Sequence, residues 1–129
     1  MPSIAVIVLD SSVLIDVLRG NEAATRWLSG VDEVPVCSEI TRSEVLRGMR
    51  SAERAATESL LQVLAWAPVD EAVSRRAGEL GREHRASHAG LGVADLIIAA
   101  TALLLDADLA TGNVRHFPMF VDLEAPYPQ

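Results

Sequence analysis

Residues 4–9, "IAVIVL", form an unbroken apolar and β-branched run, the pattern of a strand buried on both faces. "SSVLIDVLRG" (11–20) follows as a short helix closed by Gly20, and a second helix covers 21–29. "EVPVCS" (33–38) reads as the second strand, with helices expected over 41–50 and 53–63. "VLAWAPV" (63–69) is a short strand limited by Pro68, which cannot donate to a ladder. Residues 70–85 are amphipathic: Val73, Ala77, Leu80 and His84 share one face, while Glu71, Arg75, Glu79, Arg82 and Glu83 suit solvent. A Gly/His/Ser loop (86–92) leads to an almost wholly apolar helix, 93–105, and "ADLAT" (107–111) is the last strand. Strands alternating with helices imply an α/β fold of three layers, a central parallel sheet of about four to five strands with helices on both faces. Residues 1–129 are expected to form a single domain.

In such a sheet, functional groups lie beyond the carboxyl ends of the strands. That rule sorts the acids. Asp10 directly follows the first strand, Glu44 is placed in the first turn of the helix after the second strand, and Asp95 in the first turn of its own helix. Asp106 and Asp108 fall at the opposite end, where a solvated turn explains them. Each chosen acid also has an ordinary structural role: Asp10 as a helix N-cap, Glu44 closing a capping box with Thr41 in "TRSE", and Asp95 as a first-turn acid favoured by the helix dipole. Taken together those roles explain less, because Ile98, Ala99 and Ala102 pack the face that carries Asp95. A buried carboxylate needs a cation or strong donors.

Composition bears on which cation. The formal net charge is −7, and all eleven basic residues are arginines. With no lysine, phosphate-loop and Schiff-base chemistries have no carrier. A net negative chain is not a general nucleic-acid binder, although a metal enzyme can still bring phosphate to carboxylates. If Asp10, Glu44 and Asp95 converge, Mg²⁺ or Mn²⁺ is the ion their oxygens suit. Thr111 and Asn113, in "ATGN" after the last strand, could add polar groups at the same end. Cys37 is the only cysteine, in an apolar context, as expected of a buried thiol in a cytoplasmic protein. No apolar run is long enough to span a bilayer, and "MPSIAVIVLD" lacks the basic start of a signal peptide.

Other patterns carry less. "GLGVAD" lacks the third small residue of a dinucleotide fingerprint. His84 and His88 have i,i+4 spacing, but Arg85 stands where a metalloprotease has glutamate. Arg47, Arg50 and Arg54 follow i, i+3, i+7 spacing and read as a solvated face. No serine nucleophile elbow is present.

Three segments, "VLDSSVLID", "SEITRSEVLRG" and "GLGVADLIIAATALLLDADLATGNVRHF", resemble in order and spacing the PIN-domain ribonucleases, specifically VapC-type toxins of toxin–antitoxin pairs. The resemblance covers nearly the whole chain. It implies a PIN-like parallel sheet between helices, and metal-assisted hydrolysis of RNA phosphodiesters by Asp10, Glu44 and Asp95. Asp10 and Asp95 would be ligands of the Mg²⁺ or Mn²⁺ ion, and Glu44 would complete the shell or orient the attacking water. Ser12 and Thr111 would support them. The fourth family position, often acidic, falls on Asn113, with His116 three residues on. The resemblance further implies a homodimer and a cognate VapB-type antitoxin that obstructs the site. Two rival readings remain: a catalytically degenerate PIN-like binding module, and a phosphatase using Asp10 as nucleophile, although Ser12 and the missing lysine depart from that pattern.

Overall fold

The computed structural model describes residues 4–88 and 90–129. Four strands, β1 (Val6–Leu9), β2 (Val34–Ser38), β3 (Ala65–Ala67) and β4 (Asp108–Ala110), form one parallel sheet in the order β3-β2-β1-β4. Among the described residues, six helices accompany them: α1 (Ser11–Leu18), α2 (Glu22–Gly30), α3 (Glu39–Gly48), α4 (Arg54–Gln62), α5 (Glu71–His84) and α6 (Val93–Leu104), with short 3-10 turns at Ser51–Glu53 and Val114–His116. The α/β architecture expected from the alternating pattern is therefore present, with four strands. The expected loop over 86–92 contains Ala89, which lies outside the described residues.

Period-two alternation along β1 divides the core between the two faces of the sheet. Ile7 and Leu9 join one cluster with Val13 and Leu14 of α1, Cys37, Val45, Leu61 and Tyr127. Val8 joins the other, with Val73, Ala77 and Leu80 of α5 and the buried face of α6. That split explains why the run is continuously apolar: neither face of β1 meets water. Gly81 allows α5 to approach α6 closely, since a Cβ there would stand 3.1 Å from Leu96 Cδ1. Cys37 is a free thiol held in the first cluster, and burial pushes it up to about 12, so it stays neutral and unreactive.

The helix starts are set by side chains that accept orphan amides. Asp10 accepts from the Ser11 amide, Asn21 from Ala24 and Asp70 from Val73. At α3 the cap is Ser38, whose hydroxyl accepts from the Ile40 amide at 3.2 Å. The helix therefore starts before Thr41, and the Thr41–Glu44 capping box does not form. Ser38 ends β2 in extended conformation and takes the cap first; Glu44 then lies in the second turn. α3 ends at Gly48 and the chain is extended at Met49 and Arg50 before α4 begins at Arg54. Arg47, Arg50 and Arg54 thus do not share one helical face. Asp106 is exposed in the turn between α6 and β4, as expected of a solvated turn, whereas Asp108, also exposed, is the first residue of β4. Among the described residues, no helix is long and apolar enough to cross a membrane.

Candidate active site

Because all strands run in parallel, β1, β2 and β4 end at one edge of the sheet, where they deliver Asp10, Ser38 and Thr111. The ladder continues one step past β1, with the Asp10 amide donating to the Ala110 carbonyl at 2.9 Å. That step fixes Asp10 beside Thr111. Asp10 is only 2% exposed, yet it is well supplied with donors. Its Oδ1 accepts from the Ser11 amide at 2.9 Å, and its Oδ2 accepts from the Ser12 and Thr111 hydroxyls at 2.8 and 2.7 Å. Both hydroxyls are themselves aimed by backbone amides: Gly112 donates to Ser12 Oγ at 3.1 Å, and Asn113 to Thr111 Oγ1 at 2.9 Å. The capping role therefore uses Oδ1, while Oδ2 is held by the two hydroxyls. With its oxygens so engaged and no lysine nearby, Asp10 is poorly suited to be a phosphatase nucleophile.

Glu44 rises from the second turn of α3 toward the same edge. Burial pushes its carboxyl above the ordinary value; Ser11 opposes this, and the charges of Asp10 and Asp95 push it further up. Its Oε1 is buried with no hydrogen-bond partner, as is the Thr41 hydroxyl one turn earlier. Asp95 sits in the first turn of α6, on a helix whose Ile98, Ala99 and Ala102 are fully buried. α6 is capped by Gly92 without a side-chain hydrogen bond, so Asp95 is not spent on the helix end. Burial and then the Asp10 charge raise its carboxyl, while His116 pulls the other way. The Asp10 charge bears on both Glu44 and Asp95, and the Asp95 charge bears on Glu44. Among the described residues, no three His, Cys, Asp or Glu side chains stand near enough to hold one ion as they are.

The remaining candidates are distributed unevenly. Ser12 and Thr111 both touch Asp10. Asn113 is exposed and takes part through its backbone amide, as the N-cap of the 3-10 turn Val114–His116. That turn swings His116 back instead, placing its Nδ1 3.1 Å from Asp95 Oδ2. Of the two residues after β4, the side chain that reaches Asp95 is that of His116, not Asn113. Ser11, whose amide donates to Asp10 and which opposes the upward push on the Glu44 carboxyl, was not among the residues singled out by sequence; its position between Asp10 and the first helical turn was the available signal. Outside this edge, the His84 and His88 rings each commit Nδ1 locally, to the Leu80 carbonyl and the Ser87 hydroxyl. They gather no third ligand among the described residues, so a zinc site there has no support.

Three all-oxygen side chains with one buried oxygen unpaired form the donor set that a hard divalent cation prefers. Comparison with known proteins identifies the family. The sequence profile of the PIN domain matches residues 7–118. Ribonuclease VapC19 of Mycobacterium tuberculosis is 44% identical over 122 residues, 92% of this chain and 98% of that protein. Ribonuclease VapC10 of the same organism is 45% identical over 123 residues, 94% of this chain and 92% of its own. Among solved structures, a toxin–antitoxin complex from Klebsiella pneumoniae contains a chain that aligns with a TM-score of 0.82 at 26% identity, covering 95% of this chain and 99% of its own. The sheet order, the acids at its carboxyl edge and these likenesses lead to one assignment: the chain belongs to the PIN-domain family, among the VapC ribonucleases.

Proposed function

We propose that this chain is a divalent-metal-dependent endoribonuclease, the toxin of a cytoplasmic toxin–antitoxin pair, neutralised by a cognate VapB-type antitoxin. The observation that carries the metal dependence is the unpaired, buried Oε1 of Glu44 beside Asp10 and Asp95. An ionised carboxylate is not left in that position without a positive partner, and the chain has no lysine to provide one. The ribonuclease names of the relatives and the toxin–antitoxin title of the Klebsiella complex support the RNA substrate and the antitoxin partner.

Asp10 and Asp95 are the residues that would hold the ion. Mg²⁺ or Mn²⁺ held there supplies positive charge and Lewis acidity toward a phosphoryl oxygen. Binding has to draw the side chains closer than they stand, and α6 limits that adjustment to side-chain rotation because its own backbone is packed on both α5 and the sheet. Ser12 and Thr111 hold Asp10 in place through their hydroxyls. Glu44, with its carboxyl raised, is suited to orient the attacking water and to draw on its proton. The antitoxin gains from the same charge: an arginine guanidinium reaching these acids satisfies them as a cation does. Purified protein given RNA with Mg²⁺ or Mn²⁺ should cleave it, and cleavage should stop with a chelator and return when the metal is restored. Cleavage that continues undiminished in excess chelator would contradict the proposal.

A further inference from the structure

Asp95 and Asp10 are each engaged by the protein on one oxygen more than on the other. Asp95 Oδ2 lies 3.1 Å from His116 Nδ1, and it is 3.8 Å from where a Cβ on Gly92 would stand. It is thus lodged between the start of α6 and the 3-10 turn after β4. This contact is favourable when Nδ1 carries the ring proton, the form in which that nitrogen donates to a carboxylate. In Asp10, Oδ2 receives two short hydroxyl bonds, at 2.8 and 2.7 Å, whereas Oδ1 receives the Ser11 amide and only a long contact of 3.5 Å from the Ser11 hydroxyl. Each carboxylate therefore has one oxygen, Oδ1, with capacity left for a cation.

Resting on the metal-site reading above, we propose that His116 is a positioning residue that keeps Asp95 a one-oxygen ligand, so that the site takes a small octahedral cation, Mg²⁺ or Mn²⁺, in preference to Ca²⁺. Ca²⁺ prefers six to eight oxygens at roughly 2.3–2.6 Å and commonly takes both oxygens of a carboxylate, whereas Mg²⁺ wants six at about 2.0–2.1 Å and keeps several waters. Two carboxylates restricted to one oxygen each suit the second pattern. For Asp95 to grip an ion with both oxygens, Oδ2 must leave His116. The histidine acts on the ion only through Asp95, as partners that orient metal ligands do.

The test is Mn²⁺ binding to the full chain, read from the paramagnetic resonance of free Mn²⁺, with Ca²⁺ as competitor. In the wild-type protein Ca²⁺ should displace Mn²⁺ poorly. In His116→Ala the ratio of Ca²⁺ to Mn²⁺ affinity should rise by at least about 10-fold, the lower end of what loss of a ligand-orienting partner does to a metal site. His116→Asn, which carries an N–H donor on the same Cγ, should restore the wild-type ratio. His116→Gln, whose amide lies one bond further out, should behave like alanine and replaces it if the alanine variant fails to fold. A merely structural histidine would weaken both ions together and leave the ratio unchanged. An unchanged ratio in the folded Ala or Gln variant, or an equal change in the Asn variant, would overturn this role while leaving the metal site standing. Failure of the wild-type chain to bind Mn²⁺ would overturn both.

Discussion

Replacing Asp95 by asparagine should abolish RNA cleavage and leave the protein folded. The side chain caps nothing and is 23% exposed, so an isosteric amide keeps the packing of α6 while removing the charge that would hold the cation. Partners that merely orient metal ligands cost about 10–100-fold when lost, so a ligand itself should cost at least about 100-fold in kcat/KM. Unfolding should be unchanged or displaced to slightly higher temperature, because the raised carboxyl of Asp95 is a repulsive group in the metal-free protein. Asp10→Asn should also eliminate cleavage, but at a cost in stability. The new amide nitrogen, if placed at Oδ2, would aim a donor at two hydroxyls whose protons already point there, because each hydroxyl already accepts from a backbone amide. Opposing donors in a buried site cost about 1–3 kcal/mol. Full activity in either variant would refute the assignment of the acids. Equal unfolding temperatures for Asp10→Asn and wild type would refute the hydrogen-bond account of Asp10.

The second large effect is on stability. Glu44 and Asp95 both have carboxyls raised above their ordinary values in the folded chain, chiefly by burial and then by their acidic neighbours. A raised folded value means the native state binds protons more tightly than the unfolded one. Their stabilising contribution is therefore fully present below the ordinary carboxylate range and is lost as pH rises through the raised folded values. At neutral pH the metal-free protein carries the resulting strain, and Mn²⁺ should relieve it. At 100 times its dissociation constant a bound ion adds about 2.7 kcal/mol, a rise of roughly 10 °C in Tm for a domain of this size. Below the ordinary carboxylate range, protons occupy the same oxygens and the rise should vanish. Thermal unfolding with and without Mn²⁺ across this window checks both signs. A metal-induced shift that persists at acid pH, or none at neutral pH, would contradict the acidic-site account.

Much of this architecture is legible in sequence because its causes are local. The continuous apolar run before Asp10 has to be a doubly covered strand, so the acid after it has to emerge at the sheet's carboxyl edge. The period of Val73, Ala77 and Leu80 marks the face of α5 that is buried against α6. Where the reading went astray, two local rules competed and a distant contact decided. "SEITRSE" offers both Ser38 and Thr41 as caps, and only the end of β2 selects Ser38. The consequence is functional, since Glu44 is thereby freed from a capping role. Asn113 and His116 are both polar residues after β4, and their sequence spacing does not say which side chain turns inward. The 3-10 turn does, by bringing His116 back to Asp95. The influence of Ser11 on Glu44 depends on α1 and α3 packing together, a contact that no nearby pattern encodes.

The central claim is that Asp10, Glu44 and Asp95 serve one cation. Anomalous diffraction from crystals of the wild-type chain soaked in Mn²⁺ tests it most directly. The account predicts a single strong peak with Asp10 and Asp95 oxygens at about 2.1–2.2 Å, close to the spacing of a small octahedral ion, and with Glu44 at ligand distance or one water away. The peak should be missing in Asp95→Asn. No peak at the carboxyl edge of the sheet, or a peak bound elsewhere while the three carboxylates stay apart, would contradict it.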